Sequence, residues 1–538
     1  MKTESRQMVR SSSRNALKVG AGILLSRLIG LVRERIFAHY FGNSDAADAF
    51  KAAMKIPNLL QNLFGEGALS ASFIPVYARL LASGDEKEAG RVARVTGSIL
   101  ALAMSLLVLA GVLATPFLID LIAPGFSGVK REATIRMVRI IFPGVGILVL
   151  SAWCLGILNS HRRFFLPYAA PVLWNAAIIA TLIVFGSTSR LYAFAELVAW
   201  GAVLGSFLQF AVQFPSALRL AGRFRFELET ASANIRTIIK NFLPSVGSRG
   251  VSQLSSYVDA ILASFLPAGA VATLAYAQTI YLLPVSLFGM SVSSAELPEM
   301  SSQIGTGATV AAALRDRLKA ALQRIAFYIV PSVAAFLVLG DSIVSLLYQT
   351  GRFTRSDVIY AWEVLAGATV GLLAGTLGRL YTSAFWALRD TRTPLNFAII
   401  RVALTTGLGW LLAFPVPRWL GIPPELGLVG LTLSAGMAAW VEFSLLRLAL
   451  NRRIGWTGLR FSYMGRLWFA AGGAAAAAFA LKLWVAPWPP VLAGAVVLTL
   501  YGILYFAFSF ALRLPEATRL LRSASKYLRY SAHSEPRA

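Results

Sequence analysis

Apolar runs of about 20 residues recur along the whole chain, and each is long enough to cross the ~30 Å hydrocarbon core of a bilayer as a helix. This recurrence constrains the fold more than any other feature. Of 538 residues, 57% are hydrophobic and 14% are charged, and the mean hydropathy is +0.66. The expected class is an all-α polytopic membrane protein.

Charge separates this reading from its competitor. Fifty Lys and Arg against 25 Asp and Glu leave a formal net charge of +25, which could suggest nucleic acid. A basic nucleic-acid domain, however, concentrates its cations in polar segments that can fold, and here they occupy short connections between apolar runs. Membrane topology therefore explains the charge, and no nucleic-acid partner is expected. Cys154 is the only cysteine and His39, His161 and His533 are scattered, so neither a disulfide, a metal site nor a cofactor is expected. The polar, basic amino-terminal residues lead into a long apolar helix without a short cleavable core, so residue 1 reads as retained.

Fourteen candidate spans are read at roughly 16–40, 46–82, 92–122, 134–158, 166–186, 191–219, 234–266, 269–298, 318–347, 357–387, 395–414, 426–449, 464–486 and 489–512. Alternate connections are rich in Lys and Arg, among them Arg162/Arg163, Arg223/Arg225, Arg389/Arg392 and Arg452/Arg453. Both termini should therefore face the cytoplasm. The carboxy-terminal stretch 516–538 reads as a basic cytoplasmic tail, near enough to anionic lipid to interact with it.

Three pairs of landmarks, Pro57 and Pro284, Gly125 and Gly351, and Pro167 and Pro394, recur at one offset of about 227 residues. Each copy holds six spans, so the two copies share an orientation, the parallel-repeat arrangement of many alternating-access transporters. The organisation read from this is an N-lobe at 1–225, a C-lobe at 226–455, two additional helices at 456–515 and the tail at 516–538.

The stretch "SRLIGLVRERIFAHYFGNSDAADAFKAAMKIPNLLQNLFGEGA" places Arg27, Arg33, Arg35, Asp48, Lys51, Lys55 and Glu66 within the first two spans. A charge at bilayer depth costs at least ~2.5–3.5 kcal/mol, so such residues persist facing protein or a wet cavity. Asp48, Lys51, Lys55 and Asn62 fall on one helical face. Guanidinium groups bind phosphate through bidentate hydrogen bonds, so a cationic cavity suits an anion. Arg249, Arg379 and Arg401 add cations further on, opposed by Asp259, Glu196, Glu363 and Glu442.

These residues closely resemble the amino-terminal signature of the MurJ (MviN) lipid II flippases, within the multidrug/oligosaccharidyl-lipid/polysaccharide exporter superfamily. The resemblance continues through "APGF", "GILNSHRRFFLPYAAPVLWN", "DAILASFLPAGAVATLAYA", "LYQTGRFT" and "ALRDTRTP" and covers nearly the whole chain. It implies two six-helix lobes about a cationic cavity, a groove bounded by the last two helices, and a bacterial cytoplasmic-membrane protein. Its expected activity is moving the undecaprenyl-pyrophosphate-linked peptidoglycan precursor from the inner to the outer leaflet, without bond-making chemistry. Arg27 and Arg33 match the family's first-helix arginines, Asp48 its acidic residue at the start of the second helix, and Glu66 the Glu of its "EGA" element. The chain departs from the pattern at Gln61 and Asn62, where relatives carry paired arginines, and at Ala277, Gln278 and Thr279, where they carry an "ADR" element with its arginine.

The roles that follow are pyrophosphate binding by Arg27 and Arg33, supplementary positive charge from Lys51, Lys55 and Arg249, and gating ion pairs from Asp48 and Glu66. Asp259 is a candidate ligand for a monovalent cation. Export of another polyprenyl-pyrophosphate glycan is the alternative transporter reading. A membrane-embedded enzyme acting on the same lipid would need clustered catalytic acids or histidines that the loops lack. A cation-driven drug antiporter of the same superfamily would have Asp259 as its one attractive carboxylate.

Overall fold

The regular elements of the computed structural model are helices, and among the described residues, which are 22, 24–222, 225–229, 232–302 and 307–519, the one β-bridge pairs Thr350 with Phe353. They form two compact units. The first runs through Ala272 and includes Thr350–Phe353; the second holds Thr273–Gln349 and the chain from Thr354 onward.

In the first unit, α1 covers 24–41, and α2 (Asp45–Phe64) starts where the Ser44 side chain accepts from the Ala47 N–H, satisfying one of the orphan donors of a helix start. A break at Gly65 separates α2 from α3 (Glu66–Ala82). There the Gly65 N–H donates to the Gln61 carbonyl at 2.8 Å, and a Cβ on Gly65 would stand 2.4 Å from that oxygen, so a side chain cannot be placed without moving the break. The unit continues with α4 (Glu86–Ile122), α5 (Gly128–Ser160), α6 (Phe165–Ala169), α7 (Pro171–Val184), α8 (Leu191–Ala221) and α9 (Ala233–Ser264).

The centre of this unit is α5, which packs against α2, α4 and α8. Its apolar face, including Trp153 and Leu158, is buried, and small residues such as Gly144 against Ser206 let α5 and α8 approach closely, the usual device for joining helices in lipid. One stripe of α4, Leu102, Leu106, Leu109, Leu113 and Phe117, is exposed. Spaced three and four apart, these residues form a continuous apolar face suited to acyl chains.

The second unit takes most of α10 (Ala270–Pro284), then a π-helical turn, Val285–Met290, and α11 (Ser291–Ser301). It continues with α12 (Gly307–Val338), α13 (Gly340–Tyr348), α14 (Arg355–Thr369), α15 (Leu372–Ala387), α16 (Arg392–Ala413), α17 (Pro415–Leu420), α18 (Gly427–Ile454), α19 (Phe461–Trp484) and α20 (Pro490–Ala511). The last helix is tied to α12 by tyrosines that satisfy carbonyls near Pro331: Tyr501 donates to Pro331 O at 2.7 Å and Tyr505 to Phe327 O at 2.6 Å. Tyr463 of α19 donates to Gln323 O at 3.1 Å and to the Glu516 carboxylate at 2.9 Å.

The same turn is built at Arg162 in the first unit and at Arg389, and again at Arg513, in the second. Arg162 and Arg389 both adopt φ 58°, in the left-handed region. The Arg162 N–H donates to Asn159 O and the Arg163 N–H to Leu158 O; the Arg389 N–H donates to Trp386 O and the Asp390 N–H to Phe385 O. The turns at Arg162 and Arg389 stand about 227 residues apart, the offset of the sequence landmarks.

Among the described residues, 10 helices are long and apolar enough to cross a membrane, or up to 11 when α14 and α15, bent by 40°, count as one span. The remaining three of the fourteen sequence-read spans, 16–40, 46–82 and 234–266, hold the candidate site residues Arg27, Arg33, Asp48, Lys51, Lys55, Glu66, Arg249 and Asp259.

Candidate substrate site

The charged stretch folds into a cluster at the junction of α1 and α2. Glu34 on α1 accepts from Arg33 at 2.6 Å and from the Lys51 ammonium of α2. The side chains of Lys51 and Glu34 are 12% and 9% exposed, so both partners are withdrawn from water. Two cations share one carboxylate, and the cluster keeps one net positive charge. Aromatic faces hold both cations: Arg33 stacks over Trp174 at 4.9 Å and Lys51 over Phe37 at 4.4 Å. These contacts fix the cations without neutralising them. Arg27, two turns earlier on α1, is exposed.

Asp48 sits one turn before Lys51 and is 1% exposed. It accepts from Lys130 at 2.7 Å and from the backbone N–H groups of Gly269 and Ala272 at 2.8 and 2.7 Å. Lys130 also pairs with Asp45 at 2.7 Å. A carboxylate this buried requires such partners. Lys55, a turn beyond Lys51, lies within electrostatic range of Asp259, and its carbonyl accepts from Tyr257 at 3.0 Å. The face that sequence periodicity assigns to Asp48, Lys51, Lys55 and Asn62 therefore contacts several separate partners. Gln61 and Asn62 line a neutral cavity of about 200 Å³ at the end of α2.

Arg249 falls in α9 and Glu66 opens α3; the side chains of both lie outside the described residues. Elsewhere, Glu196 pairs with Arg136 at 2.6 Å and Glu442 with Arg401 at 3.1 Å. Sequence reading did not assign a role to Glu34 or Lys130. The signal available for Glu34 was its position seven residues from Arg27 on one face of the first helix.

The fold matches that of solved membrane transporters. A lipid II flippase MurJ in an inward closed conformation matches with a TM-score of 0.73 at 23% identity, covering 92% of this chain and 98% of that one. An inward-facing multidrug resistance MATE family transporter of the MOP superfamily matches at 0.62 and 20% identity, covering 82% and 98%. An all-helical fold shared with these proteins, holding a buried cationic cluster, is thus the class defined. By sequence, residues 37–499 match the family described as lipid II flippase MurJ. The probable lipid II flippase MurJ of Rhizobium meliloti (strain 1021) is 30% identical over 525 residues, 94% of this chain and 95% of that protein. The lipid II flippase MurJ of Burkholderia cenocepacia is 29% identical over 448 residues, 82% and 84%. The chain belongs to the lipid II flippase MurJ family, a family of transporters and not of enzymes.

Proposed function

We propose that this protein moves lipid II, the undecaprenyl-pyrophosphate-linked peptidoglycan precursor, from the inner to the outer leaflet of the bacterial cytoplasmic membrane by alternating access. The observation that carries the reading is the net-positive cluster of Arg33, Lys51 and Glu34, withdrawn from water on the first two helices of a chain in this family. In this reading the three charged segments, α1, α2 with α3, and α9, also cross the membrane, which makes fourteen spans. They are organised as two six-helix lobes at 1–225 and 226–455 with two further helices, both termini facing the cytoplasm. Arg27 and Arg33 bind the pyrophosphate. Lys51, Lys55 and Arg249 supplement the positive charge, Asp48 and Glu66 take part in gating ion pairs, and Asp259 is the candidate ligand for a monovalent cation.

The physics favours arginine for this task. A guanidinium presents a planar fork to phosphate oxygens, and the bonds gain strength where water is scarce. Replacing Arg27 or Arg33 with Ala should cost of order ~2–5 kcal/mol of substrate interaction and abolish complementation of a strain depleted of its own lipid II flippase. Arg→Lys variants should recover part of the activity, since the charge stays and the fork is lost. Alanine variants that reach the membrane at normal levels and still support growth would show that these arginines do not anchor the substrate.

A further inference from the structure

The neutral cavity at the end of α2 is built from α2, α3, α5, α6 and α8, all in the first unit. Gln61, Asn62, Ser151, Gln209 and Gln213 supply its polar lining, and no charged side chain among the described residues lines it. Ser151, Gln209 and Gln213 are 2%, 9% and 1% exposed, whereas Asn62 is exposed and marks the rim.

The Gln213 amide is fixed in orientation. Its Nε2 donates to Ser151 Oγ at 2.7 Å and to the Gln209 carbonyl at 3.0 Å; because that carbonyl can only accept, turning the amide over would set oxygen against oxygen. The Gln213 Oε1 is left buried with no hydrogen-bond partner among the described residues. A buried acceptor in a polar cavity is costly to leave unmet. It therefore calls for a ligand with an O–H or N–H. At about 200 Å³ the cavity has room for roughly six waters at ~30 Å³ each or for one sugar ring. The lack of lining charge disfavours a pyrophosphate group.

We propose that this cavity is a subsite for the neutral sugar portion of the lipid-linked cargo. The Gln213 Oε1 accepts a hydroxyl or acetamido hydrogen, and Gln61 and Asn62 supply further amide contacts toward the rim. The assignment rests on the flippase reading and extends it: cations hold the pyrophosphate, and a separate amide-lined pocket selects for the glycan.

The test uses the full-length protein purified in detergent, with binding measured by native mass spectrometry to two probes, undecaprenyl pyrophosphate and the same lipid carrying the disaccharide-pentapeptide. Gln213→Met, close in shape and unable to accept in the same way, should weaken binding of the glycosylated lipid by about 10-fold, the value of one good hydrogen bond. Binding of undecaprenyl pyrophosphate should stay within about 2-fold. Asn62→Ala, at an exposed rim position, should show a smaller loss with the same selectivity, and it alone decides the matter if Gln213→Met does not fold. Unchanged binding of both lipids would show that the cavity holds only water and overturn the subsite. A parallel loss of both would show a packing role and overturn it equally. A parent protein that binds both lipids with equal affinity would overturn the subsite and leave the flippase reading standing; one that binds neither would overturn both.

Discussion

The two units differ in how deeply their ion pairs are buried. In the first, two ion pairs are withdrawn from water at both ends, Lys51–Glu34 at 12% and 9% exposed and Lys130–Asp48 at 15% and 1%, while others, such as Arg136–Glu196 at 50% and 28%, are wet. In the second, the described ion pairs keep a well-exposed arginine, as in Arg355–Asp341 at 53% and 5%, Arg401–Glu442 at 41% and 13%, and Arg453–Asp390 at 44% and 16%, except for Lys482–Asp341 at 24% and 5%. A pair with one wet end loses little solvation when it forms. A pair buried at both ends gains little or nothing over an apolar replacement, because desolvation offsets its attraction. The wet pairs thus read as fastening, and the two buried pairs of the first unit need a different reason to exist. Binding an anionic cargo supplies one.

The largest effect that can break this contrast is at Glu34. Glu34→Gln removes the one carboxylate shared by Arg33 and Lys51 and leaves two cations buried, which should destabilise the protein by about 3–5 kcal/mol. Thermal melting of the purified protein measures it. The double variant Glu34→Leu, Lys51→Leu should recover most of that stability and not recover transport. If the double variant both folds and complements, the buried pair is fastening after all, and the two units do not differ in kind.

The sequence made part of this contrast legible. Arg27, Arg33, Asp48 and Lys51 stand out because charges inside apolar runs are expensive. What it concealed is partnership between helices. Asp48 meets Lys130, 82 positions away, and Glu34 meets Lys51 across 17; periodicity gives the face a residue occupies and not which helix covers that face. The amide cavity was half visible, since Gln209 and Gln213 lie four apart in an apolar run and so share a face. Ser151, which both glutamines approach, comes from α5 and carries no polar signal strong enough to be noticed alone.

In the second unit the corresponding test is Asp341, which accepts from Arg355 at 2.8 Å and from Lys482 at 2.7 Å. Asp341→Asn should cost about 1–3 kcal/mol, the value of charge-assisted bonds with one buried partner. It should leave transport intact once the protein is folded. A melting curve together with complementation at lowered temperature separates the two effects. A folded variant that fails to transport would mean that the second unit's pairs are functional as well.

The smallest expected effect sharpens the fastening side of the contrast, at the turn between α15 and α16. Asp390 accepts from the Thr393 N–H and hydroxyl at 3.0 and 2.7 Å, and from Arg453 at 2.6 Å. The bonds from Thr393, with help from Arg453, hold its carboxyl at about 2, below the ordinary 3.8. The sign follows from linkage. A depressed carboxyl pKa contributes stability that is fully present above the unfolded value and disappears as pH falls through the folded one. The Asp390 contribution should therefore be constant above about pH 4 and fade toward about pH 2. Because Arg453 is 44% exposed, solvent screens the pair and the total should stay under about 1 kcal/mol. Melting temperatures across that window should fall less steeply for Asp390→Asn than for the parent, and raised salt should shrink the difference. Equal slopes would mean that Asp390 caps the turn without using its charge, and this pair would then drop out of the comparison.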